Sequence, residues 1–229
     1  MLLFSILIAA VAPGFALLTF FYLKDKYDSE PLHLVLKMFF LGFLIVIPVM
    51  IIQRGLVIWL GEGSFVSAFL ISAGIEELLK WIVLFYFIYH HVEFDEPYDG
   101  ILYSVAISLG FATVENVMYA MSNQVFFGTL LLRGLLPVSG HALFGVMMGY
   151  YLGSAKFTRQ WKSRRILLYS LLIPWFWHGV YDWVLANIID YWIWYIVPLM
   201  AYLWYGGLGK VYRANKRSPF RMMKTREMD

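Results

Sequence analysis

The chain contains no cysteine, which excludes disulfides, thiolate metal sites and a cysteine nucleophile together. It is also poor in charge. Only 14% of its 229 residues are Asp, Glu, Lys or Arg, where soluble domains carry roughly 25%. No polar stretch is long enough to fold as a separate water-soluble domain, and there is no internal repeat and no low-complexity segment.

What fills the chain is apolar. Hydrophobic residues make up 61% and aromatics 19%, and runs of about 20 apolar residues, the length that spans a bilayer, recur from end to end. Seven spans are expected, over 2–23, 32–53, 65–89, 99–121, 129–152, 166–187 and 191–209. The fifth is interrupted by Arg133 and Pro137. The first lacks a basic leading region and runs on to Lys24-Asp25-Lys26, so it reads as a retained span and not a signal peptide. The expected fold is an all-α, polytopic transmembrane bundle. Residues 1–209 would form one membrane domain, and 210–229 a basic tail.

Basic residues set the orientation. Lys24, Lys26 and Lys37 flank the first loop. Lys156, Arg159, Lys162, Arg164 and Arg165 fill the loop before the sixth span, and seven more lie between Lys210 and Arg226. All fall on one side of a seven-span arrangement, while 61–64, 122–128 and 188–190 hold no Lys or Arg. The positive-inside rule then puts the N-terminus outside and the C-terminus in the cytosol. The formal charge of +3 follows from this bias. It fits attraction to anionic lipid and does not call for nucleic acid.

Against this background the intramembrane polar residues are informative. Glu76 and Glu77 are adjacent inside the third run, and each charge at the bilayer centre costs roughly 2.5–3.5 kcal/mol on insertion scales. Glu115, His141, and His178 with Asp182 lie in three other runs. At 1.5 Å per helical residue, Glu76 and Glu77 sit roughly 17 Å below the outer start of their span, and the others reach similar depths in the outer half. Glu76 and Lys80 are four apart and can pair along one helix face, with Glu77, about 100° around, pointing elsewhere. His178 and Asp182 are also four apart, which would fix the imidazole tautomer. His141, Gly145, Gly149 and Gly153 form a stripe that permits close helix approach. Taken singly, each pair also reads as a packing or helix-locking contact. Arg54 and Arg133 read as helix-end anchors, and His90-His91-Val92-Glu93 as an interfacial segment that resembles a metal cluster.

Four short motifs carry a resemblance. Glu76-Glu77-Leu-Leu-Lys80, Phe111-Ala-Thr-Val-Glu115-Asn116, His141-Ala-Leu-Phe-Gly145 and His178-Gly-Val-Tyr-Asp182 occur in this order, preceded by Ala12-Pro-Gly14 and Tyr22–Pro31. Together they resemble the PrsW family of membrane proteases, distant relatives of the CAAX-prenyl endopeptidases and bacteriocin-processing membrane proteins. Relative to the CAAX pattern, Lys80 replaces an Arg one position later, Glu115 stands where His is usual, and Asp182 where Asn is usual. The resemblance implies a protease of the bacterial plasma membrane. It would make the first, extracytoplasmic cut in a single-span anti-sigma factor of the RsiW type, as part of a stress response.

Peptide hydrolysis needs an activated water, an oxyanion donor and a proton for the leaving amine. Glu76 or Glu77 is the expected general base, with Glu115 helping to hold the water. His178, oriented by Asp182, would face the oxyanion, and His141 would position water or act as acid. Lys80 and Asn116 support the site. With no HExxH motif, metal-free catalysis is the leading expectation; a divalent ion such as zinc on Glu115, His141 and His178 is the second. An ion- or proton-coupled transporter would use the same residue types but lacks visible inverted repeats. A non-catalytic membrane adaptor or sensor would tolerate loss of the acidic pair.

Overall fold

The computed structural model describes residues 2–122 and 127–221, and among these there is no strand. The helices are α1 (Leu2–Tyr22), α2 (Leu32–Leu60), α3 (Ala73–Phe87), α4 (Pro97–Ser122), α5 (Phe127–Arg133), α6 (Ser139–Lys156), α7 (Gln160–Asn187) and α8 (Trp192–Lys216). Two π-helical segments join them: Val66–Ser72 leads into α3, and Gly134–Val138 links α5 to α6. Each apolar run of the sequence thus becomes one continuous helical rod. Four stretches are long and apolar enough to cross a bilayer, namely Ser5–Tyr22, Leu32–Leu60, Pro97–Ser122 and Gly128–Lys156.

Several ends differ from expectation. α2 continues to Leu60, past Arg54, because Gly55-Leu-Val-Ile-Trp-Leu60 stays apolar. It stops at Gly61, whose φ of 81° favours a residue without Cβ. α7 starts at Gln160 and α8 runs to Lys216, since Lys and Arg lower hydropathy without lowering helix propensity. Pro137 does not break the fifth rod. It lacks an N–H and would crowd the preceding turn of an α-helix, and the wider π segment around it absorbs both defects.

The fourth run of the expected order, α4, is the shaft of the bundle. From Pro97 to Thr113 every residue is buried, the pattern of a helix apolar all round and covered on every side. Glycines let its neighbours approach. Gly42 of α2 lies on the Ile107 backbone, and Gly110 of α4 lies on the Phe39 carbonyl. The stripe on α6 faces α4: Gly145 sits over Ser104 and Val105, Gly149 against Gly100, and Gly153 against Pro97. This is the close approach small residues permit where lipid supplies no hydrophobic drive.

At the end of α4 near the first loop, Tyr98 Oη donates to the Phe21 carbonyl (2.6 Å) and Asn215 Nδ2 donates to the Lys24 carbonyl (3.2 Å). His91 Nδ1 accepts the Glu93 amide at 3.2 Å, so this histidine closes a local turn.

A Cβ at Gly149 would meet Ile101 Cα at 2.5 Å. Gly149→Ala should therefore lower stability by about 1–3 kcal/mol, the usual cost of overpacking, seen as a lower thermal midpoint in detergent. Gly55→Ala, with nothing within 4 Å, should leave it unchanged or slightly raised, because Gly inside a helix costs about 0.5–1 kcal/mol relative to Ala. Equal effects at the two positions would remove the close-packing account of the α4–α6 seam.

Candidate active site

The π segment Val66–Ser72 sits immediately before the acidic pair. Its widened turn leaves the Phe69 carbonyl free to accept the Trp175 indole N–H of α7 at 2.6 Å, which locks the start of α3 to α7. Glu76, Glu77 and Lys80 then enter the bundle on consecutive turns, facing His141 of α6 and His178 of α7.

Lys80 is the centre. Its Nζ lies 2.9 Å from Glu77 Oε1, 3.5 Å from Glu76 Oε2 and 3.2 Å from His141 Nδ1, and 4.2 Å above the Phe111 ring. Glu77 and Lys80 are wholly buried. Glu77 therefore does not point elsewhere, as its angle around the helix suggested. Lys80 is three residues from one glutamate and four from the other, and both spacings bring side chains onto a shared face.

Both imidazoles are held by carboxylates. His178 Nδ1 is 2.9 Å from Glu77 Oε1, so it donates there and leaves Nε2 turned toward Asp182 (3.5 Å) and Glu76 (3.9 Å). Glu77, and not Asp182, is the near partner that sets this ring. Asp182 instead accepts the Ser72 hydroxyl at 2.5 Å, a bridge from α7 to the π segment. Phe144, three residues after His141, stacks on His178 with centroids 4.8 Å apart. His141 Nε2 lies 2.9 Å from Glu115 Oε2, and its Nδ1 accepts from Lys80.

Two partners were not apparent from sequence. Gln53 Nε2 donates to Glu76 Oε1 at 3.2 Å, from within α2 and not from its end. Ser72, four residues before Glu76, could have been found by its helical spacing; Gln53 is visible only as an isolated polar residue in an apolar run. Arg133 is not a simple anchor: it donates to Asn116 Oδ1 at 2.9 Å and lies over the Tyr119 ring. Asn116 in turn donates to the Ala10 carbonyl at 2.7 Å. It ties α1, α4 and α5 together beside the site. Arg54, Gln53, Met50, Ser67, Ser72, Glu76 and Glu115 line a groove of about 550 Å³ between α2 and the π segment. Glu115 keeps a side-chain exposure of 34%, which makes it the carboxylate most open to that groove.

The ligand set expected from sequence, Glu115, His141 and His178, is not the one whose donors converge. One ligand atom from each of Glu76, Glu77, His141 and His178 falls within 4.8 Å of the others. Glu115 contacts the opposite nitrogen of His141, where it orients the ring.

A family model described as PrsW family intramembrane metalloprotease matches residues 30–205. The chain belongs to the PrsW family. Proteins named Protease PrsW from Geobacillus kaustophilus and Bacillus subtilis are 51% and 48% identical to it, covering 92% of this chain and 92% and 96% of their own length. One from Clostridioides difficile is 32% identical, covering 82% of each chain. No solved structure matches. The chain is thus a membrane protease, and the sequence resemblance is borne out at the level of the family.

Removing one partner of a buried pair leaves an uncompensated charge. Glu77→Gln should lower stability by about 3–5 kcal/mol on that ground, read as a drop in the thermal midpoint in detergent. Adding Lys80→Met should recover much of it. A single variant as stable as the parent would show that the pair is not held as a desolvated ion pair.

Proposed function

We propose that this PrsW-family protease cuts a single-span membrane protein, an anti-sigma factor of the RsiW type, on the extracytoplasmic side. The further proposal is a seven-span bundle with the N-terminus outside and the segment after 209 in the cytosol. In its support, the site lies at the end of the bundle opposite Lys24, Lys156 and Lys216. The observation that carries the reading is the enclosed Glu76–Glu77–Lys80–His141–His178 network opening through Glu76 and Glu115 onto the groove. A transporter would need a relay crossing the bilayer, whereas these groups converge on one point.

The residues also fit the divalent ion that the family description implies. Glu76 Oε2 and Glu77 Oε2 are buried without a hydrogen-bond partner. Each histidine gives one nitrogen to a carboxylate and has the other turned inward, the arrangement that metal-ligating histidines adopt. Glu77, His141 and His178 would hold the ion, with Glu76 beside them at the groove. A bound zinc-like ion supplies Lewis acidity to the scissile carbonyl. The ammonium of Lys80 occupies the corresponding position at Glu77 and His141, so it and an ion compete for the same atoms.

The protein's own contribution follows from position. Glu76 is the general base: it borders the groove and accepts from Gln53 through Oε1, with the Ser72 oxygen 3.4 Å away, leaving Oε2 for the proton of the attacking water. Glu77 and Glu115 fix the two imidazoles, and Glu115 takes part in holding water at the groove. Because a helix hides its carbonyls, the substrate must unwind locally to reach Glu76.

The decisive assay uses purified full-length protein with a single-span substrate, with and without chelator. Glu76→Gln should slow cleavage by about 10²–10⁴-fold, the worth of a positioned base, with insertion unchanged. About one divalent ion per chain is expected, lost in His178→Ala together with activity. Active protein free of metal would transfer the oxyanion contact to His178 itself. A cut on the cytosolic side, located by mass spectrometry of the fragments, would overturn the orientation.

A further inference from the structure

A second group of carboxylates lies at the opposite end of α4 and has no part in the site above. Asp25 comes from the α1–α2 loop, Glu96 from the residue before α4, and Asp99 from its first turn; Glu96 and Asp99 are wholly buried. Asp99 Oδ2 accepts the amides of Asp95 and Glu96 at 2.9 and 2.7 Å, which uses one of its oxygens to close the loop. Its Oδ1, both oxygens of Glu96 and both oxygens of Asp25 are buried and accept no hydrogen bond of normal geometry. One oxygen from each of the three residues lies within 4.8 Å of the others. Glu30 is nearby but already accepts the Tyr103 hydroxyl.

Burying a carboxylate without full compensation costs several kcal/mol, and here three converge, with the charge of Lys156 acting on Asp99 among them. The surroundings ask for positive charge at this point. The donors are all hard oxygens, with no nitrogen or sulfur among them, which selects Ca²⁺ or Mg²⁺ over zinc-type ions.

We propose that Asp25, Glu96 and Asp99 bind a hard divalent cation, a structural site distinct from the catalytic cluster. Such an ion would clasp the α1–α2 loop to the start of α4. The C-terminal end of α8 joins the same knot, because Ser218 faces Glu96 and Asn215 holds the Lys24 carbonyl. The ligands supply the charge and water completes the shell, as is usual for Mg²⁺ and weaker Ca²⁺ sites.

The test uses the full chain in detergent, stripped with chelator and then titrated with Ca²⁺, Mg²⁺ or Tb³⁺. Thermal midpoint is one readout. Terbium luminescence sensitised by the neighbouring Tyr98 and Tyr103 is the second, and it reports occupancy without activity. The parent and Glu76→Gln should both rise in midpoint with added cation and sensitise terbium. Glu96→Gln should bind at least about 10–100-fold more weakly, the loss seen even for outer partners of a metal site. Asp25→Asn, in the loop, gives the same comparison if Glu96→Gln does not fold. No cation-dependent shift in the parent, or equal binding in the Asp25 and Glu96 variants, would overturn the site. So would stabilisation by acid alone without terbium luminescence, which would mean that protons occupy these oxygens.

Discussion

A lysine ammonium kept out of water among two glutamates is the constraint on which the site depends. Removing such a charge from solvent costs several kcal/mol even after relaxation, and only good geometry repays it. Lys80 obtains that geometry from four directions at once: Glu77 and Glu76 on its own helix, the His141 ring nitrogen from α6, and the face of Phe111 from α4. None of these partners can move without exposing a charge. The ion cluster therefore fixes the relative register of α3, α4 and α6, and the candidate site inherits that rigidity.

The scaffold explains how a membrane protein can carry this arrangement. The rod that contains Glu76, Glu77 and Lys80 is not among the four stretches apolar enough to cross a bilayer unaided. Its stability comes from covering, chiefly by α7 through the Trp175–Phe69 and Ser72–Asp182 hydrogen bonds. The glycine contacts bring α2 and α6 hard against α4, and α4 places Glu115 in the same chamber. Function and insertion pull the sequence in opposite directions in α3, and packing against the wholly buried α4 resolves the conflict.

Much of this was legible in the sequence because it depends on local spacing. The seven rods follow from hydropathy, and the meeting of Glu76, Glu77, Glu115, His141 and His178 follows from their equal depth. The Gly145–Gly149–Gly153 stripe announced a close neighbour without naming α4. What sequence could not supply is rotation of one helix against another. Glu77 looked diverted from Lys80 until the lysine was seen to sit between the two acids, and Asp182 looked like the partner of His178 until Glu77 arrived from α3. Gln53 was hidden by the same gap, since nothing along α2 says which face meets Glu76. The π segments also escaped, although Pro137 marks one of them.

The two ends of α4 pose the same electrostatic problem and answer it differently. Near Glu115 the acidic groups are gathered around an internal ammonium, which lies 2.9 Å from Glu77 and 3.5 Å from Glu76. At the Asp99 end, Glu96 and Asp99 are also enclosed, yet five oxygens of Asp25, Glu96 and Asp99 accept no hydrogen bond of normal geometry. Desolvation does not distinguish the two ends, so compensation must. At one end the chain carries its own cation, Lys80, held among the carboxylates. At the other, a rigid loop and a helix start hold fixed oxygens around a point that an external cation can fill, the geometry of a clamp. Of the three helices tied there, α1, α4 and α8, only α4 reaches the groove, through Glu115 near its other end.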